Sequence, residues 1–297
     1  MSRLGKWWRG VAYIVLVAIA IVLIVIWWPE LSKIWREHFT TFMMATLVML
    51  GSVFVQATNF LRFLPADNRP KTLVMVHTWA VGGLVNYLGP FQPGMAMRIA
   101  VLAKLGIPVS AASVATLRQT IMTIWLGLAL ASISLLWTGR REMMAMGVVL
   151  AVLCVVAPTL FRRMLQLAFR LLPRKIHEKL GSSISLAFKR PSIVAMLGIF
   201  VQYVLGTLVL FVGYSQFGVN ITVMAALGLA CVFYISSVVA IVPGNLGVLE
   251  ALCTGFGQIN GLAVENSLAL AFLYRGASIA SLLIASGISM RQKDRCQ

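Results

Sequence analysis

Charge is scarce and lopsided in this 297-residue sequence: 11% of the residues are charged, with 8 Asp and Glu against 25 Lys and Arg. A soluble domain carries roughly 25% charged residues, which excludes a water-soluble enzyme. The few acids form no D-x-x-D or H-x-E cluster, which argues against a carboxylate metal centre or a hydrolytic site. Cys154, Cys231, Cys253 and Cys296 include no CxxC pair, and His38, His77 and His177 are isolated. That spacing indicates neither zinc nor redox chemistry. No GxxxxGK[ST] loop occurs, so a P-loop nucleotide site is excluded. No cofactor and no metal are expected.

Apolar residues fill the chain instead, at 60% of the total and a mean hydropathy of +0.92. No polar stretch is long enough to act as a linker. Residues 1–297 therefore read as a single all-α transmembrane domain. The net charge of +17 fits the Lys and Arg that membrane proteins collect in cytoplasmic loops. No nucleic-acid partner is expected.

Residues 11–28 are uninterrupted apolar sequence, long enough to cross a core of about 30 Å. They end at Trp27-Trp28-Pro29 without a small-residue cleavage site, so they read as a span, not a signal peptide. Further apolar segments run at 41–61, 72–91, 110–137, 143–160, 192–214, 221–242 and 265–288. Two more, 95–107 and 247–262, are too short to cross comfortably. The connector 161–191 holds eight Lys or Arg and one Glu, the pattern of a basic amphipathic helix on anionic lipid. It joins halves at 1–160 and 192–290.

Charge parity among the loops then creates a conflict. Residues 62–71, with Arg62, Arg69 and Lys71, and the connector both belong inside. Segments 72–91 and 95–107 must therefore start and finish on the same side. A re-entrant hairpin turning at Gly89–Gly94 satisfies this, and a mirror-image hairpin fits 221–262, turning at Pro243–Gly247. The expectation is about seven full spans and two re-entrant hairpins, arranged as an inverted repeat, with both termini cytoplasmic.

The two turns echo each other. Pro90, Gly94 and then Arg98 mark the first, and Pro243, Gly244, Asn245, Gly247 and then Glu250 mark the second. Each is followed by an apolar span with one arginine, Arg118 or Arg275. A charge at a helix centre costs about 2.5–3.5 kcal/mol, so such residues should face the bundle and find partners. One reading is a structural Glu250–Arg275 salt bridge. The other is an electropositive cavity in which Arg98, Arg118 and Arg275 hold a lipid phosphate through guanidinium forks, with Glu250 setting charge balance or coupling protons. Arg98 alternatively snorkels to the interface.

The stretch Asn86-Tyr87-Leu88-Gly89-Pro90, with Gly94, Arg98, Arg118, the run Val242–Ala251 and Tyr274-Arg275, resembles the lysylphosphatidylglycerol synthase transmembrane-region family, also called the flippase-like domain family. The resemblance covers about residues 10–290. Asn245 stands where the family usually has a second Gly, Leu117 where it has Glu, and Gln92 where a basic residue is common. What the resemblance implies is movement of an amphiphilic lipid across the bilayer. In two-domain members a cytoplasmic synthase makes that lipid; a stand-alone member is expected here.

The sequence therefore predicts a non-enzymatic translocase of a phosphate-bearing lipid in a bacterial inner membrane. Its partner would be an anionic phospholipid or a polyprenyl-phosphate-linked lipid. The rivals are a non-transporting partner of an envelope-biosynthesis enzyme, docking through 161–191, and an integral membrane enzyme acting on lipids.

Overall fold

The computed structural model of the chain describes residues 32, 36–89, 92–139, 141–170, 192–239 and 243–293. The expected first span 11–28, Pro90 and residues 171–191 of the connector lie outside them. The described residues form nine α-helices and no strand: α1 (Phe39–Leu61), α2 (Thr72–Asn86), α3 (Pro93–Lys104), α4 (Val109–Trp137), α5 (Arg141–Arg170), α6 (Ile193–Gln216), α7 (Val223–Val239), α8 (Val248–Ile259) and α9 (Val264–Lys293).

Length divides these helices into two kinds. Four are long and apolar enough to cross a membrane: α1, α4, α6 and α9 over Val264–Ile288. By contrast α2 has 15 residues, and α3 and α8 have 12 each. At 1.5 Å per residue they reach only about 18–22 Å, short of a bilayer core. The helix α5 runs unbroken from Arg141 to Arg170. It carries the apolar segment 143–160 directly into the basic connector, so 161–170 is a continuation of that helix and not a separate one. Nothing in 161–170 forces a stop: the stretch holds no Pro or Gly, and its Leu, Met, Gln, Ala and Arg favour helix.

Contacts between helix ends sort the bundle into two layers. At one end, Asn59 Nδ2 donates to the Ala195 carbonyl at 3.1 Å, Arg62 Nη1 to Val194 at 2.7 Å, and His77 Nδ1 lies 3.3 Å from the Ser286 carbonyl. Phe60, Phe63, Met75, Leu102, Ile107 and Ala285 share one buried cluster there. At the other end His38 stacks on Phe217, and Ser134 Oγ donates to the Met224 carbonyl at 2.6 Å. A second cluster there includes Tyr214, Val219, Ala226, Cys253 and Leu262. Helix α2 begins and α3 finishes at the first end. Helix α7 begins and α8 finishes at the second.

The bundle exposes apolar side chains, unlike a soluble protein, and buries polar ones among its apolar core. On α6, Leu197, Phe200, Val204 and Leu208 are exposed, while Gln202, Tyr203 and Thr207 are buried. In hydrocarbon, polar side chains face the interior because lipid offers them no partners.

Candidate functional site

Each short helix pair is held together at its turn. In the first, Gln92 adopts a left-handed backbone (φ 52°) as the N-cap of α3, and Pro93 opens the helix. Proline suits that first position because its missing N–H has no helical partner there anyway. Asn86 Oδ1 accepts from the Gly94 N–H at 2.8 Å, tying the end of α2 to the start of α3. Only glycine fits at 94, because a Cβ would run into the Gly82 carbonyl.

The second turn is wound more tightly. Gly244 (φ 56°), Asn245 (φ 58°) and Gly247 (φ 84°) are all left-handed. Asn tolerates this region better than other residues with a Cβ, and Asn245 Nδ2 donates to Ser236 Oγ at 3.1 Å. Gln92 and Asn245 are the two non-glycine residues with positive φ among the described residues, one at each turn. Glu250 sits at the third position of α8 and accepts from the Gly247 N–H at 2.8 Å, half of a capping box.

Arg275 closes this arrangement. Its Nε and Nη2 donate to the two Glu250 carboxylate oxygens at 2.9 and 3.1 Å. Its Nη1 donates to the Gly244 carbonyl at 2.7 Å, and Nη2 reaches the Asn245 carbonyl at 3.3 Å. Both side chains are largely buried, at 10% and 13% exposure. The guanidinium is thus committed to one carboxylate and the backbone of the turn, and the pair is electrically neutral.

A cavity of about 300 Å³ opens beside the two turns. Arg98 and Arg275 both line it, together with Asn86, Gln92, Gly244 and Asn245. Glu250 and Gly94 do not line it, although each fixes a residue that does. Arg118 is elsewhere: it is half-buried, with its guanidinium carbon 5.7 Å from the centre of the Phe63 ring. One residue along α4, Gln119 faces the cavity together with Thr116, Thr120 and Thr123.

Arg98 lines the cavity with no carboxylate beside it among the described residues. It is 8% exposed, stacks 3.9 Å over Trp79, and donates from Nε to the Gly94 carbonyl of its own helix at 3.3 Å. No carboxylate lies within salt-bridge distance among the described residues; the Arg275–Glu250 pair is the ion pair there. Its terminal nitrogens are left for the cavity. Gln119 carries a weak sequence signal, since the polar residues 116, 119, 120 and 123 recur at helical spacing on an otherwise apolar span; Trp79 carries none.

Polar side chains converging on a cavity, inside a bundle whose outer surface is apolar, define a multi-pass membrane protein with an internal polar site. Residues 15–286 match the family described as lysylphosphatidylglycerol synthase TM region, and the chain belongs to it. No curated protein and no solved structure matches the chain.

Proposed function

We propose that this chain moves a phosphate-bearing lipid across a bacterial inner membrane by alternating access around the cavity. The observation that carries this reading is Arg98, a buried guanidinium facing the cavity without a carboxylate partner. Planar guanidinium groups bind phosphate oxygens in a bidentate way, and an unpaired buried cation calls for an anion. Arg275 positions the second turn and does not itself hold the phosphate. Arg118 lies outside the cavity wall and has no part in binding.

Two re-entrant hairpins, α2–α3 and α7–α8, supply the moving parts. Their arrangement as an inverted repeat is supported by the packing. Exchanging α1 with α6, α2 with α7, α3 with α8 and α4 with α9 turns every packed pair among these eight helices into another packed pair. Transporters commonly build substrate sites where such repeats meet. Positive charge supports the orientation: Arg62, Arg69, Lys71 and Lys104 lie at the end where α2 begins, and 215–222 at the opposite end is uncharged. The first end is then cytoplasmic, as is the end of α9.

Reconstitution with a fluorescent phosphatidylglycerol tests the function. Protein-containing liposomes should lose inner-leaflet fluorescence to an impermeant quencher faster than empty ones. Equal rates with and without the protein would overturn the reading.

A further inference from the structure

Beyond the phosphate, the cavity wall indicates what else the head group carries. Gln119 and Gln202 line it, at 6% and 5% exposure. Neither side-chain amide bonds another described residue, and neither is sealed away from the cavity, so both present their donors and acceptors to it. Two such amides beside the Arg98 guanidinium make one polar stretch of cavity wall.

The charge balance of that site is selective. Arg275 is cancelled by Glu250, which leaves Arg98 as one net positive charge. Among the described residues no carboxylate lines the cavity, so an ammonium group would find neutral oxygens and aromatic faces there but no counter-charge. An aminoacylated or ethanolamine head group would bring a cation toward Arg98 without a counter-charge, at a desolvation cost. A hydroxyl group suits the amides instead, since it donates to a carboxamide oxygen and accepts from a carboxamide N–H.

Resting on the reading of a lipid site, we infer that the cavity selects a lipid whose single phosphate carries an uncharged, hydroxyl-rich head group, a polyol or sugar. Aminated head groups are rejected. Arg98 takes the phosphate, and Gln119 and Gln202 take the hydroxyls. The volume of about 300 Å³ sits at the small end of ligand sites, enough for a compact head group with its chains left in the bilayer.

Native mass spectrometry of the purified full-length chain with short-chain lipids reads this without depending on transport. Phosphatidylinositol should bind about tenfold more tightly than phosphatidic acid, and lysylphosphatidylglycerol more weakly than either. Gln119→Leu with Gln202→Leu should remove most of the phosphatidylinositol advantage and leave phosphatidic acid within about twofold, since the amides act on hydroxyls alone. Arg98→Gln should weaken both. Lysylphosphatidylglycerol binding as tightly as phosphatidylinositol would overturn the inference, as would equal losses for both lipids in the glutamine variants. Selective binding without any lipid movement in liposomes would retain the head-group assignment and sink the transport reading. Absence of binding by every lipid would sink both.

Discussion

Tyr87 of the first turn lies against Gly244 of the second: a Cβ on that glycine would meet the Tyr87 ring at 2.6 Å. The phenol hydroxyl continues to Ser278 Oγ of α9 at 3.2 Å, and Arg275 lies 5.9 Å from the ring centre. The tips of the two hairpins are therefore in direct contact, with the Arg275 clamp behind them. Gly244→Ala should force the tips apart and lower the unfolding temperature. Tyr87→Phe, which loses one long, part-buried hydrogen bond, should change it less. Thermal unfolding in detergent distinguishes the two.

The Glu250–Arg275 pair yields a double-mutant test. Arg275→Gln leaves a buried carboxylate and two turn carbonyls without their donor, and should cost about 3–5 kcal/mol. Glu250→Gln should cost less, because Arg275 keeps the carbonyls of Gly244 and Asn245. The double variant should recover only part of the Arg275→Gln loss. Full recovery would mean that the arginine merely neutralises Glu250 and does not hold the turn.

Glycines at three helix positions should give different signs. Gly94→Ala drives a Cβ into the Gly82 backbone carbonyl and should destabilise by about 1–3 kcal/mol. Gly83→Ala meets only the flexible end of Leu282 and should cost less. Gly51 has nothing within 4 Å of a built Cβ. Gly51→Ala should stabilise by about 0.5–1 kcal/mol through helix propensity. The ranking is read from unfolding midpoints.

At the second turn, Asn245→Gly relaxes a left-handed residue but loses the bond to Ser236, and stability should stay nearly unchanged. Asn245→Val places a β-branched side chain at φ 58° and should cost about 1–3 kcal/mol. Equal effects of the two substitutions would show that backbone conformation does not govern this site.

Topology can be probed where side chains are exposed. Leu105, just past α3, and Ile259, at the end of α8, are 48% and 66% exposed. Cysteines introduced at these positions should react with an impermeant maleimide from opposite faces of oriented vesicles. Labelling from one face would refute the opposed hairpins.

Much of this architecture is legible in the sequence because lipid imposes strict rules on it. Runs of apolar residues, loop charges and the two proline–glycine breaks point to short helix pairs at 72–107 and 221–262, and the four long helices fall on expected spans. The Glu250–Arg275 pair is only one of two readings of the sequence, because a buried arginine can be balanced by a carboxylate or by a lipid phosphate; the structure shows the pair. What the sequence leaves open is which face of a helix looks inward. Arg118 and Gln119 are neighbours separated by about 100° around α4; the charge goes to Phe63 and the amide to the cavity. Trp79 carries no special signal among apolar neighbours, although it is the surface on which Arg98 rests.

The separation of a neutral Arg275–Glu250 pair from an uncancelled Arg98 has an electrical consequence. A lipid bringing one negative charge makes the occupied cavity neutral, whereas the vacant cavity holds one positive charge. A membrane potential does work on the second and not on the first, up to about 2.3 kcal/mol per 100 mV if the charge crossed the whole field. Under the lipid movement proposed above, voltage would govern the return of the empty carrier while leaving the loaded passage electrically silent. Turnover should depend on potential even though the step that carries lipid moves no net charge.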